Sequence, residues 1–301
     1  MSLALQPPRE GAKRRESGMA LVAVMWMVAA LSLLVSSLIY ATRAEIRSVQ
    51  QLRDATDATA LGDAAMQLAA LDLHRERGEP NRWQRRAYRF DGREVAVTVV
   101  PSGGLVNINR ADTDLLTDLL VHAGGITPQQ ADRLVSEISL RRKRNTPVGL
   151  DDDADRQDVV RAARRQSRFD VIEDLLEVPG FPLELFDTIQ NFITVRSPSG
   201  AVDPQAAPPG LMGVLAAGDA GTAERFLERR EADDPAKDMT GINHITRGAR
   251  RDRFYRLDAE VVSNSGVVYR RTGWVDLSRV ADGPPFRWLD LYPARAVGTG
   301  S

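Results

Sequence analysis

MALVAVMWMVAALSLLVSSLIY, residues 19–40, runs for 22 positions without a charged side chain. As a helix rising ~1.5 Å per residue it spans ~33 Å, enough to cross a hydrocarbon layer of ~30 Å. A buried helix of a globular domain would carry a polar stripe, and this stretch carries none. It is longer than the roughly 7–15 apolar residues of a secretory signal, and no small-x-small cleavage site closes it. The stretch therefore predicts a helix that crosses a membrane and stays in the protein. Ahead of it Arg9, Lys13, Arg14 and Arg15 face Glu10 and Glu16, giving +4 − 2 = +2, while Arg43, Glu45 and Arg47 behind it sum to +1. The basic excess keeps the N-terminus in the cytoplasm and sends residues 41–301 across the membrane, into the periplasm of a Gram-negative cell.

The helical pattern continues beyond the apolar run. From Ala41 to Arg77 there is no Pro, and Gly62 is the one Gly. Ile46, Val49, Leu52, Leu61, Met66 and the run Leu68–Leu73 carry an apolar stripe along a charged surface. Gly78 and Pro80 supply the stop. A helix of ~59 residues would be ~88 Å long, its first third apolar all round and the rest amphipathic.

Strand signals follow. Ala87–Phe90 and Arg93–Val100, the latter alternating Val95, Val97 and Val99, flank Asp91-Gly92, a strong hairpin signal. Strand character returns at Arg253–Val262, Val267–Val275 and Phe286–Leu291, with a turn at Asn264-Ser265-Gly266. One antiparallel sheet is expected, begun by the first hairpin and completed by the C-terminal strands, with a helical insertion between. In that insertion Val106-Asn107-Ile108-Asn109-Arg110-Ala111 precedes a helix over Asp112–Ala123. Gly124-Gly125-Ile126-Thr127-Pro128-Gln129 then opens another helix to Arg141. Leu175–Pro182 joins helices at Val171–Glu177 and Leu183–Val195. Helix, tight glycine turn, helix is the helix-hairpin-helix pattern. Val202-Asp203-Pro204-Gln205-Ala206-Ala207 is a degraded echo of the first lead-in, followed by an apolar helix at Leu211–Leu215.

Composition narrows the function. With 43% apolar residues and a formal charge of −1, the chain can bury a core and has no whole-molecule attraction for nucleic acid. The chain has no cysteine, which excludes disulfides, thiolate zinc sites and a thiol nucleophile, and its three histidines make a histidine-rich metal site unpromising. No Gly-x-Ser-x-Gly, phosphate-loop or His-Glu-x-x-His pattern occurs. Ser102-Gly103-Gly104 lacks the Lys-Ser/Thr of a phosphate cradle, and His122 and His244 show no evident Ser or carboxylate partner. A non-enzymatic protein is expected.

The leader Lys13-Arg14-Arg15-Glu16-Ser17-Gly18, followed by Met19 and the apolar helix, resembles a type IV prepilin. Most prepilins have Glu at the fifth mature position; here that position is Ala23. With the interrupted sheet and the helical insertion in the same order, the chain resembles the K-type minor pseudopilins of the type II secretion system (general secretion pathway protein K). The resemblance implies an α+β fold: leader 1–18, transmembrane and spine helix 19–78, pilin-like sheet from 79–105 and 251–301, and a helical insertion at 106–250 built of helix-hairpin-helix, SAM-like units. It implies prepilin-peptidase cleavage between Gly18 and Met19, N-methylation of Met19, and residence in the inner membrane with a periplasmic domain. Its implied partners are the I- and J-type minor pseudopilins, the major pseudopilin, the peptidase and membrane lipid. A subunit at the pseudopilus tip has no preceding amine to neutralise, and a buried unpaired carboxylate would be costly, so Ala23 fits a tip position. Calcium is the cofactor this family leaves open, with Asp151, Asp153 and Asp155 as candidate ligands. They do not make an EF-hand, since Arg156 and Ala162 stand where Gly and Glu are required, and an Asp-rich helix N-terminus explains them equally.

The competing reading is a membrane-anchored helix-hairpin-helix DNA receptor of the competence type, which shares the Val-Asn-Ile-Asn lead-in. Phosphate-binding hairpins use Gly-apolar-Gly to bring backbone N–H groups to the anion. Here the turns read Gly125-Ile126-Thr127 and Gly180-Phe181-Pro182, and Glu173, Asp174, Glu177, Glu184 and Asp187 surround the second. Arg141–Arg144, Arg161, Arg164, Arg165 and Arg168 read as solvated helix faces balanced by neighbouring aspartates. No nucleic-acid partner is expected.

Overall fold

The computed structural model describes residues 13–76, 81–143, 168–231, 240–245, 252–278 and 283–299. The chain divides into two compact units, Met1–Asp57 and Ala58–Ser301. Helix α1, Lys13–Arg75, contributes to both. In the first unit the apolar side chains from Leu21 to Val35 are exposed. Among the described residues no helix is long and apolar enough to cross a membrane. The stretch read as membrane-crossing is described at its side chains only over Met19 and 21–37, since those of Ala20 and 38–48 lie outside. A transmembrane helix is thus not part of the described fold.

In the second unit the last turns of α1 lie under an antiparallel sheet. Ala58, Ala65, Met66, Ala69, Ala70 and Leu73 are buried there, and each large side chain contributes ~1.5–3 kcal/mol of apolar burial. Gly62 lets the strand that carries Arg271 come close: a Cβ on it would stand 2.9 Å from that of Arg271. The helix ends at Arg75, ahead of the Gly78 and Pro80 stop, and 77–80 lie outside the described residues.

The sheet runs β1 (Gln84–Phe90), β2 (Arg93–Pro101), β5 (Phe254–Val262), β6 (Val267–Asp276) and β7 (Arg287–Leu291), with β8 (Arg295–Thr299) also against β6. The first hairpin turns at Asp91 and Gly92, both at positive φ (47° and 79°), as a primed two-residue turn requires. Val95, Val97 and Val99 of β2 and Leu257, Ala259 and Val261 of β5 are buried, the alternation expected of a sheet with one covered face. Strand β2 pairs directly with β5, Pro101 facing Tyr255, so everything from Ser102 to the start of β5 leaves the sheet and returns to it at the same place. Strand β8 was not foreseen.

The helical part begins with β3 (Val106–Asn107), which pairs in parallel with β4 (Ile193–Thr194). Helix α2 (Thr113–Asp118) passes into a π turn, Leu119–Ala123; α3 is Pro128–Lys143; Ile172–Glu177 is a 3-10 helix; α4 is Leu183–Ile189; α5 is Met212–Leu215; and α6 is Ala220–Glu231. The helix expected over Leu183–Val195 stops six residues early. Ile193 and Thr194 are β-branched, and they hold the open edge of β3 instead. Helix α6, whose Ala223 and Phe226 are buried, was missed. One apolar core joins all these elements, from Val106 to Ile242.

Candidate functional site

Of the processing residues, Gly18 and Met19 lie within α1, and Met19 is 77% exposed. Ala23 lies on the same exposed apolar run. Asp151, Asp153 and Asp155 lie outside the described residues, as do Arg144, Arg161, Arg164 and Arg165. Among the described residues no group of three or more His, Cys, Asp or Glu side chains is arranged to hold a metal ion.

The helical part is organised by its lead-in turns. In the first, Asn107 Oδ1 accepts the Asn109 N–H at 2.8 Å, and its backbone carbonyl accepts from Ala111 at 2.8 Å. Asn109 reaches forward to Phe169, exchanging two hydrogen bonds of 2.9 Å with its backbone. Arg142, from the end of α3, closes the turn, donating through Nε to the Ile108 carbonyl at 2.8 Å and through Nη1 to that of Ala111 at 2.7 Å. Burial lowers the Arg142 guanidinium to about 10, with Asp112 opposing the shift. Its neighbour Arg141 donates to the Asp174 carbonyl at 3.0 Å and to Glu177 at 2.8 Å, and lies over the Phe169 ring. These two arginines were expected on a solvated face. Arg142 is turned onto two backbone carbonyls, and the surface clasp of Arg141 to Glu177 ties the acidic 3-10 segment to α3.

The second lead-in repeats this arrangement 96 residues on (106 to 202, 111 to 207). Val202 bridges Ile245 in parallel, Asp203 Oδ1 accepts the Gln205 N–H at 3.0 Å, and Arg230 of α6 donates to Pro204 at 3.3 Å and Ala207 at 2.7 Å. The two lead-ins meet reciprocally. A Cβ on Gly104 would stand 2.0 Å from the Ala206 carbonyl oxygen, and one on Gly200 would stand 2.5 Å from that of Arg110. Each pair is related to the other by the same offset of 96, so the units face one another about a local two-fold.

The histidines do have carboxylate neighbours. His244 Nε2 lies 2.9 Å from Asp118 and its Nδ1 lies 3.7 Å from Asp112; His122 lies 3.9 Å from Asp118. Asp118 and His122 sit one helical turn apart on α2 and its π turn, while His244 lies 126 residues after Asp118, which is why spacing could not reveal their contact. Where the chain leaves and regains the sheet, Asp252 accepts the Gly103 N–H at 2.5 Å. The buried Ser102 hydroxyl lies against the same carboxyl without a well-directed hydrogen bond. Burial, and then the nearby Asp203 carboxylate, push Asp252 up to about 6 against the Gly103 bond. Asp203 is itself raised by burial, although the Gln205 and Ala206 N–H groups oppose the shift.

No family model and no curated protein matches the chain. Among solved structures, the chain is similar to one from a protein-secretion complex. It is a chain of the GspK-GspI-GspJ complex of the type 2 secretion system from enterotoxigenic Escherichia coli, at 12% identity and a TM-score of 0.46. The match covers 85% of this chain and 100% of that one.

Proposed function

We propose that this chain is a minor pseudopilin of a type II secretion system, standing at or nucleating the tip of a periplasmic pseudopilus. The observation that carries the reading is the make-up of α1. Its early part holds the uncharged residues 19–40 directly after Lys13–Gly18, and its last turns are the buried support of an antiparallel sheet. An apolar run with more than half of each large side chain exposed, from Met19 to Val35, calls for lipid or neighbouring helices around it. In this reading residues 19–40 anchor the protein in the inner membrane, the N-terminus is cytoplasmic, and the sheet and helical part are periplasmic.

The role is structural and not catalytic. The chain is a substrate of prepilin peptidase between Gly18 and Met19, and Met19 becomes its methylated N-terminus. The I- and J-type pseudopilins would lie along its helix. Ala23 removes the acidic side chain through which an incoming subunit neutralises the amine ahead of it, as suits the first subunit placed. A membrane-anchored DNA receptor gains no support from Arg141 and Arg142 at the end of α3, which bond to backbone carbonyls and to Glu177 within the chain.

Cleavage tests the proposal. Gly18→Asp should block maturation, leaving a chain heavier by the leader's mass in membranes of cells carrying the peptidase. Intact-mass measurement showing the same shortened product for both forms would overturn the prepilin reading.

A further inference from the structure

Three arginines and one carboxylate form a row across the sheet face opposite α1. Alternation puts Arg270, Thr272 and Trp274 of β6 on that face, since Arg271 between them reaches Asp63 of α1 at 2.8 Å on the other side. Arg270 faces Glu260 across β5 and Arg295 across β8. Glu260 is already shared, at 2.8 Å with Arg270 and 3.1 Å with Arg85. The other carboxylates of the sheet face are taken too: Asp258 holds Arg256 at 3.0 Å, and Asp290 holds Arg196 at 2.5 Å. Arg295 is exposed and has no ion-pair partner among the described residues. Like charges directly opposite one another in a sheet are unfavourable, and while Glu260 offsets the charge of Arg270, no ion pair among the described residues offsets that of Arg295.

Arg270 and Arg295 line a cleft of about 260 Å³ between the sheet and the helical part. Tyr292 stands on its floor with both backbone groups fixed: its N–H donates to Thr272 at 2.9 Å and its carbonyl accepts from Arg271. Its hydroxyl makes no hydrogen bond among the described residues. Burial and the carboxylates of Glu173 and Asp290 raise the phenol, so it remains a donor. Beside the cleft, β8 is bonded to β6 on one edge only, and no described strand covers the other. An open edge offers backbone N–H and C=O groups to an extended chain.

We propose that this cleft docks an extended segment of a partner protein, which adds to the open edge of β8 and presents an acidic side chain to Arg295 and Arg270. Edge pairing fixes the segment in register, and alternate side chains then enter the cleft. The bidentate guanidinium of Arg295 and the Tyr292 hydroxyl receive the carboxylate. Asp170 and Glu173 on the facing wall reject a second acidic group, so the site reads a single acidic position within a strand, not a polyanion.

The probe is a short fluorescein-labelled peptide of alternating valine and threonine with one central glutamate, titrated by anisotropy into the full-length chain in detergent. Saturable binding is expected, weakened roughly tenfold or more by Arg295→Gln and further by Arg295→Glu. A peptide with glutamine in place of glutamate should bind comparably weakly, and one N-methylated on the pairing edge should not bind. Circular dichroism should show both variants folded, Arg295 being exposed. Equal binding of the glutamine peptide, or of the N-methylated one, would overturn the proposal. So would displacement by inorganic phosphate at the peptide's own concentration, which would mark a small-anion site.

Discussion

The two halves of the helical part close their lead-in turns with the same device, an arginine from the end of a helix capping two carbonyls three residues apart, yet they reach it by different routes. In the first half α3 is capped at Thr127, and Ala131, Leu134, Val135 and Ile138 are buried before Arg142 arrives. In the second, α6 is capped at Asp219, and Ala223 and Phe226 are buried before Arg230. Counted from the caps, Arg142 is at the fifteenth position and Arg230 at the eleventh, one helical turn sooner (142 − 127 = 15; 230 − 219 = 11). A whole turn was lost and the arginine kept its direction. The geometry of the clamp, not the length of the helix, is the feature held constant.

The reciprocal glycines give the strongest way to break this comparison. Gly104→Ala would drive a Cβ to 2.0 Å from a backbone oxygen that cannot rotate away. About 4 kcal/mol or more of destabilisation is expected, the range of outright steric or strain defects. Gly200→Ala meets its counterpart oxygen at 2.5 Å, and roughly 2–3 kcal/mol is expected there. Urea unfolding of the two variants measures both. If either is neutral, the two lead-ins do not pack as a reciprocal pair.

The arginines sharpen it. Arg142→Ala strands the Ile108 and Ala111 carbonyls in the apolar core and should cost about 3 kcal/mol. Arg230→Ala removes the equivalent bonds to Pro204 and Ala207, one of them long at 3.3 Å, and its stacking over Trp83. About 1–2 kcal/mol is expected. Denaturation midpoints in the reverse order would mean that the second unit, not the first, carries the fold.

The difference also explains what the sequence could reveal. Val-Asn-Ile-Asn and Val-Asp-Pro-Gln are recognisable as related because Asn107 and Asp203 share one local task, accepting an N–H two residues on, which a short polar side chain performs from sequence position alone. The hairpin at Asp91-Gly92 was legible for the same reason: its cause lies within two residues. The clamps were not, since Arg142 and Arg230 sit in runs of basic residues, and charge by itself reads as a solvated surface. Strand β8 escaped because Arg295–Thr299 holds one large apolar residue, Val297, and becomes a strand only by pairing with β6. The His244–Asp118 contact and the Asp203–Asp252 pair depend on residues far apart in the chain, which no local pattern encodes.

The smallest expected effect separates the two lead-ins by charge. Where the first turn uses neutral Asn107, the second uses Asp203, and this places a like charge near the buried Asp252. Asp252 stands at about 6, against 3.8 for an ordinary aspartate, so between those values the folded chain binds more protons than the unfolded one. Stability must therefore fall as pH rises through that window, and level off above about 7. A shift of this size corresponds to at most ~3 kcal/mol across the window. Asp203→Asn keeps the oxygen that accepts the Gln205 N–H and removes the repulsion. Asp252 should then move back toward its ordinary value, stability near pH 7 should rise by about 1 kcal/mol, and the slope between pH 4 and 7 should flatten. Asn107→Asp, the reverse exchange in the first turn, should steepen the slope, because that position is buried and its Nδ2 donates to the Ser197 carbonyl, so a carboxyl there would itself be raised. Unfolding followed from pH 4 to 8 tests the pair; an unaltered slope in Asp203→Asn would show that burial of Asp252 alone, without its acidic neighbour, sets the pH response of the joint between sheet and helices.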